Sequence, residues 1–415
     1  MFEIFSTVNS LYVLVGSMLL GLAGGVLGVF AVLRKQGLLG DALAHSALPG
    51  IALAFLIMQT KFLPGLLLGA LISGLIGSAC IYCLVRFTKV KMDSAMATVL
   101  SVFFGIGILL LTYIQKLPLA SQSGLDSFLF GQAAALLKSD VYFIAGAFVF
   151  VIFIVVLFWK ELKLYIFDQD LARVIGFRGI VLEFLFMTTL VVTVLMSLQA
   201  VGVILTAAIF ITPAVSALLW SDRLFKVVVL SGFFGMIAGG FGATFSAVSL
   251  KMPTGPVIVM CLFAIFLASF FFAPKKGIIW RWIKRRKYSI KVKEENMMGV
   301  LFRSHEKGTE NWTFNDYEHY GFDKSVFRRL KRRGFLTVED SVFRLSKEGF
   351  SAAAKVIEKH RLWETYLVNQ LKVDPSFVHR DAETIEHVLT DEMVKELKKI
   401  LGDPKKDPHG KPIKE

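Results

Sequence analysis

Nine long apolar runs constrain the fold of this 415-residue chain more than any other feature of its sequence. A helix needs about 20 apolar residues to cross a hydrocarbon core of about 30 Å, and each run approaches or exceeds that length. We therefore predict nine transmembrane helices, of which the sixth and seventh are separated only by the short segment SLQA. The runs cover residues 11–33, 38–58, 64–84, 95–113, 141–159, 180–197, 201–220, 227–249 and 255–273.

The charged residues are concentrated after the last apolar run, so the chain has an apolar first part and a charged second part. Residues 1–273 contain 15 Lys and Arg and 10 Asp and Glu, whereas residues 274–415 contain 31 and 22. A single soluble domain does not show such a distribution. We predict a transmembrane domain over 1–275, a basic juxtamembrane linker over 276–290 near lipid headgroups, and a soluble part after it. The net charge of +14 does not itself indicate nucleic acid, since cytosolic loops of membrane proteins are also cationic.

The positive charges between the runs indicate the orientation of the chain. Cytosolic loops of membrane proteins carry an excess of Lys and Arg. If the N-terminus lies outside, eleven of these cations lie in the cytosol and four outside, and nine spans place the C-terminal part in the cytoplasm. The eleven are Arg34, Lys35, Arg86, Lys89, Lys91, Lys160, Lys163, Arg173, Arg178, Arg223 and Lys226, and the four are Lys61, Lys116, Lys138 and Lys251.

Two polar residues interrupt the second apolar run. Asp41 and His45 are four residues apart, so a helix places them on one face, one turn from each other. At about 1.5 Å per residue, His45 lies roughly 13 Å beyond the cytosolic boundary, near the middle of the membrane. A carboxylate and an imidazole at that depth must be paired, hydrated or bound to an ion. The spacing fits half of a divalent-metal site and an internal Asp–His pair joining two helices equally well.

Three segments of the apolar part carry a family resemblance. They are GDALAHSALPGIALAFL at 40–56, YIFDQDLARVIGFRG at 165–179 and SLQAVGVILTAAIFITPAVSALL at 197–219. They resemble the zinc, manganese and iron permease family of ABC transporters. This resemblance implies an all-helical permease of the type shared with cobalamin importers, in a bacterial inner membrane, whose transported metal contacts Asp41 and His45. It also implies a permease homodimer supplied by an extracellular metal-binding lipoprotein.

The second of these segments implies an ATPase partner. In the family that it resembles, this short cytosolic helix docks onto a separate ATPase subunit, and the charge-based orientation places it in the cytosol. The chain contains no G-x-x-x-x-G-K-[ST] phosphate loop, so we expect ATP hydrolysis in another subunit and no catalytic residue or catalytic cofactor here. The coupling residues that the resemblance implies are Asp168, Asp170, Leu171, Ala172, Arg173 and Gly176.

The soluble part begins with a pattern of helix, basic helix and hairpin. KSVFRRLKRRGFL at 324–336 predicts a helix with one apolar side and a basic remainder, and TVEDSVFRLSKEGF at 337–350 alternates like a short hairpin. That order is typical of a winged helix, whose second helix reads DNA. A basic surface helix is more often only solvated, so DNA stays an alternative partner. We predict a degenerate winged-helix-like region over 291–355.

The last 60 residues carry a second resemblance. KHRLWETYLVNQLKVDPSFVHRDAETIEHVLTDEM at 359–393 and LGDPKKDPHGKPI at 401–413 resemble the diphtheria-toxin-repressor family of metal-dependent regulators. This implies a metal-binding and dimerisation domain over 356–415. The resemblance makes Glu295 and Met298, in the approximately aligned segment KEENMMGVLF, further candidates. The regulatory ligands that it implies are His360, Glu364, His379, Glu383, Glu386 and His387.

The spacing of these ligands is consistent with a metal site without the family. His360 and Glu364, like His379 and Glu383, are four residues apart and share a helix face. Glu383 stands where iron-responsive members of the family place a cysteine and manganese-responsive members a glutamate. Nitrogen and oxygen ligands suit Mn²⁺ or Fe²⁺ better than a thiol-rich zinc site, so manganese is favoured, with zinc and iron as alternatives.

Three functions are compatible with the sequence. The first is the permease of an ATP-driven importer of divalent metal ions whose cytosolic domain senses metal and regulates uptake. The second is a membrane-anchored or proteolytically released metal-dependent repressor. The third is a secondary carrier that uses Asp41 and His45 as a proton relay, and the ATPase-docking segment argues against it.

Overall fold

The computed structural model describes residues 8–60, 62–117, 136, 138–175, 179–248, 252–309, 312–313, 316, 323–339 and 342–413. The chain divides into two compact units, Met1–Arg281 and Trp282–Glu415. The boundary between them falls inside residues 276–290.

The first unit is built from helices. Among the described residues these are α1 (Val8–Leu33), α2 (Leu39–Met58), α3 (Leu63–Phe87), α4 (Met92–Gln115), α5 (Lys138–Leu157), α6 (Trp159–Phe167), α7 (Gln169–Val174), α8 (Gly179–Ala200), α9 (Val203–Trp220), α10 (Leu224–Val248) and α11 (Thr254–Phe272).

Nine of these helices correspond to the nine apolar runs. Eight are long and apolar enough to cross a membrane, and α9 is a shorter apolar helix. The prediction of about nine membrane helices is confirmed. The segment SLQA is the end of α8, and the break before α9 falls at Val201 and Gly202. Gly202 has a φ of 83°, a conformation that glycine adopts without steric cost.

Helix α2 is largely enclosed, with 15 of its 20 residues buried. It packs closely against α3, because a side chain at Gly50 or Gly69 would collide with the backbone of the other residue. Ser73 of α3 donates a hydrogen bond to the carbonyl of Ser46 at 2.6 Å. His45 and Ser46 of α2 are therefore buried within the helix bundle, whereas Asp41 stays partly exposed.

Small residues also allow α1 to approach its neighbours. A side chain at Gly21 would collide with the carbonyl of Gly235 in α10, and Ser231 of α10 donates a hydrogen bond to the carbonyl of Gly25 at 2.6 Å. Gly28 lies equally close to the backbone of Phe210 in α9. Glycines at four-residue spacing permit such contacts between membrane helices.

The second unit combines helices with a small sheet. Its elements are α12 (Ile278–Glu306, which contains the boundary between the units), β1 (Trp312–Thr313), α13 (Lys324–Arg332), β2 (Leu336–Glu339), β3 (Val342–Leu345), α14 (Lys347–Asn369), α15 (Val378–Ile385) and α16 (Asp391–Leu401).

The three strands form an antiparallel sheet in the order β1-β3-β2. Leu336 of β2 lies opposite Leu345, and Trp312 of β1 lies opposite Phe343. The core beneath the sheet is apolar, and it includes Phe302 of α12 and Phe327 of α13. The expected hairpin and basic helix are both present.

We expect Gly21→Ala to lower the melting temperature of the detergent-solubilised chain by several degrees, because the added methyl group would push α1 away from α10. The matched control is Gly146→Ala in α5, where an added Cβ meets no atom within 4 Å. Alanine is favoured over glycine inside a helix by up to about 1 kcal/mol, so the control should melt no lower than the parent. Equal melting temperatures for the two variants would contradict this packing.

Candidate metal sites

The first candidate site lies in α2. Because α2 begins at Leu39, Asp41 falls in its first turn and His45 one turn further on. His45 Nε2 lies 3.3 Å from Asp41 Oδ1, and the imidazole packs edge-on against the ring of Phe104 in α4, with 4.7 Å between centroids. His45 Nδ1 is buried and makes no hydrogen bond within the described part of the chain. The buried imidazole therefore retains a nitrogen with no described partner.

Pro49 adds an oxygen atom that the sequence pattern did not reveal. Proline has no N–H, so Pro49 cannot donate the helical hydrogen bond to the carbonyl of His45, four residues earlier. Carbonyl oxygens released from helical hydrogen bonding serve as cation ligands in other membrane transporters. Asp41, His45 and this carbonyl offer oxygen and nitrogen donors within two turns of one buried helix.

The expected docking segment is a short helix after a capped break. Asp168 separates α6 from α7 and accepts a hydrogen bond from the N–H of Leu171 at 2.8 Å, which starts α7. Leu171 is 44% exposed, whereas Ala172 is 2% exposed. Leu171 is thus available to a partner and Ala172 is part of the packing. The side chains of Asp170 and Arg173 and the whole of Gly176 lie outside the described residues.

A buried ion pair holds this segment to the helix bundle. Arg34, just after α1, pairs with Glu183 of α8, and the hydroxyl of Tyr165 in α6 donates to Glu183 at 3.1 Å. The Arg34 guanidinium also lies over the rings of Tyr165 and Phe186, at 5.2 and 4.8 Å from their centroids. The contacts join α1, α6 and α8 next to the short link that leads from α1 into α2.

The second candidate site is a compact cluster in the second unit. His360 and Glu364 lie one turn apart on α14, and His379 lies in the first turn of α15. His360 Nε2 is 3.1 Å from Glu364 Oε1 and 3.0 Å from His379 Nδ1, and the last two atoms are 2.9 Å apart. His360 and Glu364 are buried and His379 is exposed. In the part of the chain that the structure describes, this is the group of three side chains able to hold a metal ion.

The three donor atoms are close enough to contact one ion. Two imidazole nitrogens and one carboxylate oxygen lie 2.9 to 3.1 Å from one another, which are hydrogen-bond distances between the side chains. A donor set of nitrogen and oxygen atoms without a thiol suits Mn²⁺ or Fe²⁺ better than a thiol-rich zinc site. The residues present therefore fit a divalent cation.

Two of the other expected ligands lie behind the histidines. His360 Nδ1 is 2.6 Å from Glu386 Oε2, and His379 Nε2 is 3.5 Å from Glu383 Oε1. A carboxylate that accepts the outer N–H of a histidine directs the lone pair of the inner nitrogen toward a metal. In this geometry Glu386 orients His360, whereas Glu383 lies at ion-pair distance from His379.

His387 lies in a second, adjoining contact. Its Nδ1 is 2.7 Å from Glu295 Oε2 of α12, and its Nε2 is 3.6 Å from Glu386 Oε1. Glu386 thus stands between His360 and His387. Met298, the other candidate from α12, is buried in the apolar core of the second unit.

Two arginines were not identified from the sequence. Arg361 is buried and donates hydrogen bonds to Glu306 at 2.6 Å and to the carbonyl of Pro412 at 2.7 Å, and so attaches the end of the chain to α14. Arg303 of α12 lies 3.4 Å from His379 Nε2. Both contacts join residues more than 50 positions apart, and helical spacing carries no signal for them.

The pKa values of the two buried members of the cluster shift in opposite directions. Burial alone would lower the pKa of His360, but hydrogen bonds with Glu364 and Glu386 outweigh it and raise the pKa above 6.5. Burial alone would raise the pKa of Glu364, but hydrogen bonds with His360 and His379 lower it to about 2. At pH 7 Glu364 is therefore ionised and His360 is more protonated than an exposed histidine.

Ionisable side chains enclosed among membrane helices are typical of ion and substrate pathways, so the first unit has the features of a transport protein. The model of the ABC 3 transport family matches residues 8–273. The model of the iron dependent repressor, metal binding and dimerisation domain, matches residues 346–415. The chain belongs to the ABC 3 transport family and carries the second domain at its C-terminal end. Both resemblances seen in the sequence are confirmed.

Individual relatives cover most of the chain. The manganese transport system membrane protein MntC of Bacillus subtilis is 38% identical over 371 residues, which are 88% of this chain and 85% of that protein. The zinc transport system membrane protein TroC of Treponema pallidum is 43% identical over 292 residues, 70% of this chain and 98% of that protein. The solved structure of PsaBC from Streptococcus pneumoniae in complex with Fab is 31% identical, with a TM-score of 0.57 over 66% of this chain and 94% of that one.

The raised pKa of His360 predicts pH-dependent metal binding at the second site. A cation can bind the imidazole only in its neutral form, so affinity for Mn²⁺ should fall as the pH is lowered from 8 to 6, starting above pH 6.5. Calorimetry on the full chain with Asp41→Ala and His45→Ala, which removes the first candidate site, measures this dependence. His409→Gln should leave the dependence unchanged. An affinity that is constant across this range would contradict the prediction.

Proposed function

We propose that this permease imports divalent metal ions, with manganese as the favoured cargo and zinc or iron as the alternatives. The observation that carries the proposal is the Asp41–His45 pair in α2, where 15 of 20 residues are buried and the imidazole keeps a nitrogen without a described partner. Burying ionisable side chains in a membrane costs free energy, so such residues are rare and typically mark the path of an ion or substrate. Similarity to MntC and TroC supports metal as the cargo.

Asp41→Ala and His45→Ala should each reduce metal uptake by cells about 100-fold or more while the protein still inserts and accumulates, since each removes a ligand and little packing volume. Asp93→Ala is the matched control, because Asp93 is also an acidic residue in the first turn of a membrane helix but is exposed. Uptake at the parental rate in both Asp41→Ala and His45→Ala would show that the pair only joins helices.

The proposal includes a separate ATPase that docks at the segment around α7. The proposed coupling residues are Asp168, Asp170, Leu171, Arg173 and Gly176, with the buried Ala172 fixing the position of the helix. Support comes from the exposed Leu171 and from the Arg34–Glu183–Tyr165 contacts, which attach this segment to α1 and α8.

We further propose an outside N-terminus, a cytoplasmic second unit, a permease homodimer and an extracellular metal-binding protein that delivers the ion.

Leu171→Asp should abolish stimulation of the ATPase by the permease and lower uptake about tenfold or more, because a charge would replace an exposed apolar contact. ATPase activity and co-purification of the two subunits in detergent measure the effect. Leu371→Asp places the same change at an exposed leucine of the second unit and should leave both unchanged. Undiminished ATPase stimulation in the Leu171 variant would exclude this docking site.

We propose that the second unit senses cytosolic metal through His360, Glu364 and His379, with Glu383, Glu386 and His387 supporting the cluster. The set of nitrogen and oxygen donors, without a thiol, favours Mn²⁺ or Fe²⁺. Metal binding that favours one arrangement of this unit would bias the permease to which it is covalently joined. Regulation of uptake is thus the proposed role of the C-terminal domain.

A DNA-binding repressor is the second candidate. It is favoured by one observation, the exposed basic residues Arg328, Lys331 and Arg332 of α13 beside a three-stranded sheet. Metal-dependent binding of the chain to its own promoter, with loss of binding in Arg328→Gln, would support that function.

A further inference from the structure

Arg303 contacts the outer side of the metal-binding cluster. Its Nη1 lies 3.4 Å from His379 Nε2 and 3.8 Å from Glu383 Oε1, and these two atoms lie 3.5 Å from each other. Glu383 Oε1 therefore lies at ion-pair distance from both nitrogens at once. Arg303 Nε is buried and makes no hydrogen bond among the described residues, so the guanidinium is only partly satisfied.

The two histidines of the cluster differ in this respect. His360 Nδ1 is 2.6 Å from Glu386 Oε2, and both side chains are buried. His379 Nε2 is 3.5 Å from Glu383 Oε1, and both side chains are about half exposed. The first imidazole has a short bond to a carboxylate of its own, whereas the second shares its carboxylate with an arginine.

We propose that Arg303 sets the metal affinity of this cluster by competing with His379 for Glu383. The proposal rests on metal binding by His360, Glu364 and His379. An outer carboxylate raises the basicity of a ligating imidazole and fixes its ring, so a carboxylate diverted to arginine supports His379 less. The positive guanidinium beside His379 also repels an incoming cation. Both effects weaken binding, and both disappear when the charge of Arg303 is removed.

The position of Arg303 is fixed by its helix. On either side of it along α12, Glu295 pairs with His387 at 2.7 Å and Glu306 pairs with Arg361 at 2.6 Å. These contacts hold α12 against α14, which supplies His360 and Glu364, and against the segment that follows α15, the helix that supplies His379. The guanidinium is therefore kept beside His379 and cannot move away with the backbone. A threshold for metal is the expected benefit, since a sensor should respond only after the cell has acquired enough of the ion.

The test measures the dissociation constant for Mn²⁺ by calorimetry on the full chain with Asp41→Ala and His45→Ala. Arg303→Gln should bind Mn²⁺ at least about tenfold more tightly than Arg303. Arg303→Lys keeps the charge and should stay within about threefold of the parent. Arg332→Gln removes the same charge from an exposed site on α13 and should not change the affinity.

Arg303→Met, which keeps the apolar stem, provides a second neutral variant if Arg303→Gln does not fold, as judged by the melting temperature without metal. Unchanged or weaker Mn²⁺ binding in the neutral variant would overturn the proposal for Arg303 while leaving the metal site intact. A parent chain that binds no Mn²⁺ after loss of Asp41 and His45 would overturn metal sensing itself, and the proposal for Arg303 with it.

Discussion

A carboxylate and an imidazole one helical turn apart recur in both units of this protein. Asp41 and His45 form such a pair in α2, and His360 and Glu364 form one in α14. Both imidazoles and the Glu364 carboxylate are buried, and the Asp41 side chain is about a quarter exposed, so these groups need partners among their neighbours or an ion. In α2 the imidazole contacts Asp41 and the ring of Phe104. Around α14 the imidazole of His360 contacts the carboxylates of Glu364 and Glu386.

The two histidines differ in how completely their ring nitrogens are hydrogen-bonded, and the difference fits the two proposed roles, transport and sensing. Beyond the 3.3 Å contact with Asp41, His45 has a buried nitrogen without a hydrogen bond in the described structure, which suits an ion that must enter and leave in each cycle. His360 is held on both nitrogens, by Glu386 at 2.6 Å and by Glu364 and His379 at about 3 Å. A pre-organised cluster of this kind suits an ion that stays bound.

Periodic features of the sequence were sufficient for the framework. Apolar length predicts the membrane helices, and the four-residue spacings at Asp41 and His360 predict which side chains share a face, because both depend only on local helix geometry. The sequence did not show which of the six candidates lie together and which lie outside them. Glu383 and Glu386 were candidates on equal terms with the others, and only the fold places them behind the histidines.

The contacts that sequence reasoning missed are those between distant positions. Arg34 and Glu183 are 149 residues apart, and Arg303 reaches His379 across 76 residues. Each is a cation in a stretch where cations are common, and only its burial or its partner distinguishes it. These contacts also join the candidate functional elements to their surroundings: α6, which precedes the proposed docking helix, to α1 and α8 in one case, and α12 to the candidate metal cluster in the other.

The central claim is that one chain both conducts a metal ion and responds to it. The most direct measurement is manganese uptake into cells as cytosolic Mn²⁺ rises, compared between the full chain, its Glu364→Gln variant and a truncation ending at Lys276. The account predicts that uptake by the full chain declines as Mn²⁺ accumulates, while the variant and the truncation continue to import. Identical inhibition curves for all three would contradict it.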